Sequence, residues 1–453
     1  MIPWLPLVCA LVADVDITVP ADVAAEEAQT APATDPLIPA LQMPQFGAEL
    51  PANRLRRERQ LMKGLQAERL SAGHTVIGGY AQINATALSS GPGDDGGAIS
   101  DLALSATLRR LVLFVAHTFN DDVRLYTEFE WENAIACRTC QGASEIEQAF
   151  VEWDLVKGDG AAQVTARGGL VLIPFGILNQ WHEPPVFHGV NRARLEEGLI
   201  PSTWRELGGG IVGELHPGLS YELYVTTGLN ALNFLSSGFG AGRQNGSITD
   251  ASSVMVSGRV ELEPVLGAIV AVSALYNETG GLPFSTKRFA DATGTPVRLS
   301  LPLMAFEADA RIRRNGLEAR ALVTSWHYPN AVDLLAAQRV DGSATVIVDK
   351  ASRTGAVATL MAGAQLEVAY DVFAPFSFTD QQLLPFARVE FINTQMAVPD
   401  DYVADLSLST KELTVGLSYR PISQVVLKTD LQLRNRVVGN DEVQGNLGLG
   451  LMF

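Results

Sequence analysis

Residues 442–453, EVQGNLGLGLMF, carry the pattern that decides the fold. Val443, Gly445, Leu447, Leu449, Leu451 and Phe453 fall on one side of an extended chain; Gln444, Asn446, Gly448 and Gly450 fall on the other. Side chains of a strand alternate between two faces, so a period of two means that each face meets a different medium. One medium here takes apolar groups, and the other takes small or polar ones.

The same alternation recurs upstream. In 122–132, DVRLYTEFEWE, Val123, Leu125, Thr127, Phe129 and Trp131 oppose Arg124, Tyr126, Glu128, Glu130 and Glu132. In 146–155, Ala149, Val151, Trp153 and Leu155 oppose Gln148, Glu152 and Asp154. Over 357–370, Ala358, Leu360, Ala362, Ala364, Leu366, Val368 and Tyr370 face away from Thr359, Gln365 and Glu367; over 412–420, Leu413, Val415, Leu417 and Tyr419 face away from Glu412, Thr414 and Arg420. Runs of about 10 residues suit a tilted strand crossing a hydrocarbon layer. The polar faces are too charged to form a second core. These features predict an all-β chain, an antiparallel transmembrane β-barrel over 74–453, with lipid outside and water inside.

Connections fit that topology. Tight turns such as FNDD (119–122), KGDG (157–160), HPG (216–218), RRNG (313–316) and RPI (420–422) alternate with longer segments at 87–102, 134–144, 173–206, 231–250, 278–296, 328–355 and 395–410. Counting hairpins predicts about 16 strands, a size at which a barrel stays open to water. The connection near 372–382 is longer than this pattern expects.

Composition agrees with a membrane barrel. Charged residues make up 18% of the chain and hydrophobic ones 47%. No apolar run of about 18 residues follows the N-terminus, so helical spans are not expected. A formal net charge of -17 argues against nucleic-acid partners. Residues 2–13, IPWLPLVCALVA, read as the apolar core of a signal peptide over 1–19, although no Lys or Arg precedes them. Residues 20–73 read as a linker rich in Ala, Pro and Glu, with a short periplasmic helix at 55–70. Cys137 and Cys140 form a CxxC in a polar loop; a loop disulfide is expected, with free thiols or half a metal site as alternatives.

Several stretches resemble the phosphate-selective porin family: GGYAQINAT at 78–86, RLVLFVAHTFNDDVRLYTEFEWE at 110–132, IPFGILNQWHEPPVFHGVNR at 173–192 and LIPSTWRELGGGIVGEL at 199–215. The resemblance is strongest over about residues 78–245. It implies a homotrimer of sixteen-stranded barrels in which the third outer loop folds inward and narrows the pore, with passage of anions such as phosphate. It also implies that the C-terminal Phe453 is an assembly signal read by the barrel-assembly machinery.

The loop concerned is 173–206, which holds Trp181, His182, Glu183, Pro184, Pro185, His188, Arg192, Arg194, Glu196, Glu197, Trp204 and Arg205. His182, Glu183, Arg192, Arg194 and Arg205 are the candidate constriction residues, their charges setting a local field in a narrow passage. Candidate lumen cations are Arg124, Arg167, Arg259, Arg320, Arg388, Arg420, Lys428 and Arg434. Opposing them are Glu128, Glu130, Glu132, Glu152, Asp154, Glu222, Glu261, Glu263, Glu318, Glu367, Glu390, Glu412 and Asp430. Phosphate binding needs clustered cations that replace its hydration. Carboxylates outnumber cations here, so the residues themselves predict a general or weakly selective pore.

No GxSxG, GxxxxGK[ST] or HExxH is present, and no enzyme or cofactor is expected. Adjacent His182 and Glu183 read as local hydrogen-bonding groups rather than as an acid/base pair. Glu128, Glu130 and Glu132 could chelate a cation from one wall, but a solvated lumen face is the expectation, and no metal is assigned. The function expected is passive diffusion of small ions and solutes across a Gram-negative outer membrane, in contact with its lipid. The alternative is a structural or adhesive barrel without channel activity.

Overall fold

The structure, a computed structural model, describes residues 73–90, 102–134, 142–158, 162–283, 289–290, 295–341, 354–376 and 379–453. The expected signal peptide, most of the 20–73 linker with its helix, and the Cys137–Cys140 pair lie outside the described residues.

Sixteen antiparallel strands close into one barrel. In chain order they are β1 (Thr75–Ser90), β2 (Leu102–Thr118), β3 (Val123–Glu132), β4 (Ala143–Val156), β5 (Val164–Leu172), β6 (Arg205–His216), β7 (Leu219–Thr227), β8 (Val254–Val265) and β9 (Ala268–Glu278). After a two-stranded ribbon of β10 (Phe289–Ala290) and β11 (Pro296–Val297), the wall continues with β12 (Pro302–Arg314), β13 (Leu317–His327) and β14 (Leu360–Tyr370). It ends with β15 (Gln382–Ala397), β16 (Ser409–Ile422), β17 (Val425–Arg436) and β18 (Glu442–Met452). β18 pairs with β1, Leu449 opposite Ile83, so no edge strand is left open. The long 372–382 connection does not change the count.

Alternation sets the two faces. Along β9, Ile269, Ala271, Ser273, Leu275 and Asn277 are buried, while Val270, Val272 and Tyr276 are exposed. The exposed set forms the apolar exterior, to which Trp131, Trp153, Leu366, Val389, Leu431 and Leu447 also belong. Such a surface is stable only against lipid.

The interior departs from the uniformly wet lumen expected. At the long-loop end, Phe175, Trp204, Phe234, Phe239, Tyr328 and Leu334 from the connections pack with Met255, Leu275, Leu303, Trp326 and Met361 from the wall. Trp204 and Trp326 stack with ring centroids 5.9 Å apart. Here the inward positions are apolar as well, because they meet folded loops rather than water. One of those connections carries helix α1 (Ala331–Asp341), where the sequence reading expected only loop.

Two wall irregularities matter below. Between β3 and β4 the register shifts, so that Gln148 pairs with Glu128 and Ile146 with Phe129. The extra residue is Glu147, and both Glu147 and Gln148 are buried. A bulge places two consecutive residues against one partner and so breaks strict alternation. A second shift between Gln82 and Ile83 of β1 leaves Arg109 without a register partner, and Arg110 is buried opposite Gln82.

Candidate functional site

The segment between β5 and β6 is anchored at many points. Pro184–Val186 forms a 3-10 turn and Leu195–Leu199 a single π-helical turn. Pro174, Pro184, Pro185 and Pro201 limit its backbone freedom. Asn179 closes its base, with its Nδ2 donating to the Ile173 carbonyl oxygen at 2.6 Å and its Oδ1 accepting from the Trp204 backbone N–H at 2.5 Å.

Many of its partners stand elsewhere around the ring, several of them across it. Gln82 of β1 donates to the Val190 carbonyl oxygen at 2.8 Å. Arg320 of β13 donates to that of Val186 at 2.8 Å, and Arg420 of β16 to that of Pro185 at 2.9 Å. Lys428 of β17 donates to the Phe187 and Gly189 carbonyl oxygens at 2.6 and 2.8 Å. The Val190 N–H donates to Asp430 at 2.6 Å, and the Leu195 N–H to Glu390 at 2.8 Å. β15 and β16 lie about halfway around the ring from β5 and β6. Glycines seat the segment against the wall: a Cβ added at Gly448 would come within 2.8 Å of Val190, and one at Gly363 would collide with Leu195.

Glu196 works inside the segment. Its Oε1 accepts the N–H groups of Ile177 and Leu178 at 2.7 and 2.6 Å, and its Oε2 accepts from Gln365 of β14 at 2.6 Å. Burial nevertheless pushes this carboxyl above its ordinary value.

The predicted constriction residues divide. His182 is buried, with Nε2 3.6 Å from Glu128 and 3.5 Å from Glu147, so its carboxylate neighbours are on the wall rather than at adjacent Glu183. Burial opposes its charge, but Glu147 and Glu128 outweigh that and raise its pKa to about 10. Glu183 is half-buried. Arg192 is buried with Nη2 3.2 Å from the His182 carbonyl oxygen, and burial followed by nearby Arg110 lowers its pKa. Arg194 is half-buried and senses Arg434 and Glu412. Arg205 opens β6 and pairs with Glu145. His188 is 3.2 Å from Glu318, yet burial holds its pKa below the usual value.

The predicted lumen residues occupy inward positions in ion-paired sets. Arg124 meets Asp154 at 2.7 Å and Glu152 at 3.2 Å; Arg167 meets Glu152 at 2.6 Å. Arg320 meets Glu367 at 3.0 Å, and Arg388 lies between Glu390 at 2.7 Å and Glu367 at 3.3 Å. Glu128 accepts from Gln148 at 2.6 Å, and Glu130 stands 3.6 Å from Arg110. Each of these four arginines is already matched by carboxylate, which leaves them poorly placed to strip hydration from a phosphate.

Glu147 and Arg110 were absent from the sequence-based set. Strict alternation with Ala149 and Val151 would put Glu147 on the lipid face; the bulge turns it inward. Arg110 was hidden by its neighbour Arg109, since either could have faced inward.

No family model matches the chain. A protein of Aquifex aeolicus (strain VF5), described as an uncharacterized protein, is 28% identical over 366 residues, covering 78% of this chain and 74% of that one. Among solved structures, the Salmonella typhi OmpF complex with daunomycin is similar with a TM-score of 0.52 and 13% identity, over 84% of this chain and 98% of that one. Pseudomonas putida OprB, in its high-pH structure, gives 0.50 and 9%, over 88% and 96%. Identities this low show the fold: this chain has the sixteen-stranded barrel of outer-membrane porins. With its apolar exterior and closed hydrogen bonding, it resides in the outer membrane.

Proposed function

We propose that the chain is a channel for passive diffusion of small hydrophilic solutes and ions, with segment 173–206 folded inward as its constriction. The supporting observation is the division of faces: an apolar exterior, and an inward face of ion-paired Arg, Glu and Asp such as Arg259 with Glu307 and Asp309. Charged side chains in such number are stable inside a barrel that admits water. The balanced pairing favours weak selectivity over a dedicated phosphate path. Homotrimerisation and recognition of Phe453 by assembly machinery belong to the same proposal.

The packed apolar cluster at the long-loop end favours a second reading, a closed structural or adhesive barrel. Purified protein in planar bilayers separates the two. Stepwise conductance supports the channel; silent insertion of folded barrels rejects it in favour of the closed barrel.

A further inference from the structure

Glu128 of β3, Glu147 of β4 and His182 of segment 173–206 place one ligand atom each within 4.8 Å of one another, and all three are buried. The separations from His182 Nε2, 3.6 and 3.5 Å, are close to the edge of a tetrahedron, about 3.4 Å, for ligands held about 2.1 Å from an ion. Three features suit this cluster to a bound cation. Glu147 has zero exposure, yet neither of its carboxylate oxygens has a hydrogen-bond partner. His182 Nε2, also buried, has none either. Meanwhile His182 Nδ1 lies 3.3 Å from the Asn179 carbonyl oxygen, where an Nδ1–H can donate. Between the two carboxylates alone the ring holds both protons, as its raised pKa requires; a divalent ion would displace the Nε2 proton and leave the Nδ1–H donor in place, an orientation common in metal sites. Glu128 is held from behind by the Gln148 amide at 2.6 Å.

The neighbouring arginines sense the Glu147 charge but make their direct contacts elsewhere. Arg110 lies 3.6 Å from Glu130, and Arg192 turns its Nη2 to the His182 backbone. A buried carboxylate whose close partner is a single imidazole at 3.5 Å carries a desolvation cost, and a bound divalent ion is one way to offset it.

We propose that Glu128, Glu147 and His182 bind one divalent first-row transition-metal ion, with Zn2+ as the reference, clipping segment 173–206 to the barrel wall. The imidazole sets this class apart from the all-oxygen coordination that Ca2+ and Mg2+ prefer. Three protein ligands leave room for a water, as in open zinc sites. Binding is independent of whether the barrel conducts, so a silent bilayer leaves the site standing.

The test uses the full chain, folded in detergent without a polyhistidine tag and stripped with chelator. Zn2+, Ca2+ and Mg2+ are titrated separately, and retained metal is counted after gel filtration. The expected result is one Zn2+ per chain, with Ca2+ and Mg2+ held at least about a hundredfold more weakly. Glu147→Gln and His182→Gln should each weaken Zn2+ binding at least about tenfold. His216→Gln, at the exposed end of β6, should change nothing. Heat-modifiable gel migration reports folding of each variant. Should a variant fail to fold, the wild-type chain loaded with Co2+ decides, because X-ray absorption must show imidazole in the coordination shell. No retained Zn2+, equal retention in the folded Glu147→Gln or His182→Gln variant, Ca2+ binding as tight as Zn2+, or a Co2+ shell without imidazole would each overturn the proposal.

Discussion

Pro184 rests directly on Gly450: a Cβ added at that glycine would collide with the Pro184 ring. Gly450 lies on the inward side of β18, and Pro184 opens the 3-10 turn of segment 173–206. The small residues on one face of the last strand thus have a specific use. They form a seat that lets the segment lie flat against the far wall, where Lys428 and Asp430 hold it.

Gly450→Leu removes that seat. Overpacking at a well-fitted contact costs about 1–3 kcal/mol, and the turn at Pro184, tied to the wall by the Pro185 and Val186 carbonyl oxygens, should move before the wall does. Single-channel conductance is expected to rise and protease cleavage within 173–206 to quicken, with heat-modifiable folding retained. Unchanged conductance and cleavage would mean that the turn does not bear on the passage.

Arg192, Arg194 and Arg205 contribute the segment's positive field. Replacing all three by Ala leaves Glu145 and Glu412 less compensated. Reversal potentials in a KCl gradient should shift toward cation preference, about two- to fivefold in permeability ratio, a change on the order of 0.4–1 kcal/mol. An unaltered reversal potential would place these residues away from the conducting path.

Glu196→Ala tests the internal frame. It strips acceptors from the buried N–H groups of Ile177 and Leu178, each worth about 1–3 kcal/mol when left unsatisfied. Hydrogen exchange at 177–178 should accelerate at least tenfold, and open-channel noise should increase. Glu196→Gln, which keeps the acceptor oxygen, should restore most of the protection.

Phe453 exchanges two backbone hydrogen bonds with Gly79, each 2.9 Å, at the seam between β18 and β1. A Cβ at Gly79 would come within 2.9 Å of the Phe453 ring, so the ring covers that glycine. Deleting Phe453 should slow folding into lipid vesicles and cut the yield of heat-modifiable barrel several-fold. Normal yield and rate would show that closure does not depend on it.

Much of this fold was legible because a strand's pleat is local. Val443 to Phe453 reveals two faces without reference to any other residue, the same rule located the apolar exterior, and the spacing of turns predicted about sixteen strands. Alternation failed where its assumption failed. At Glu147 a bulge reversed the face, and near Met255, Leu275 and Trp326 the inward side meets packed loops instead of water.

The sequence by itself determined that this chain forms a closed sheet with an apolar outside, since period-two patterning needs only neighbouring residues. Tertiary structure alone decided which inward groups meet. Val190 bonds to Asp430 across 240 residues of chain, and His182 reaches Glu128 and Glu147 only because the segment after β5 folds back over β3 and β4. Nothing in a local pattern encodes a contact made across the barrel. It depends on the register summed strand by strand around the wall, and one inserted residue is enough to change it.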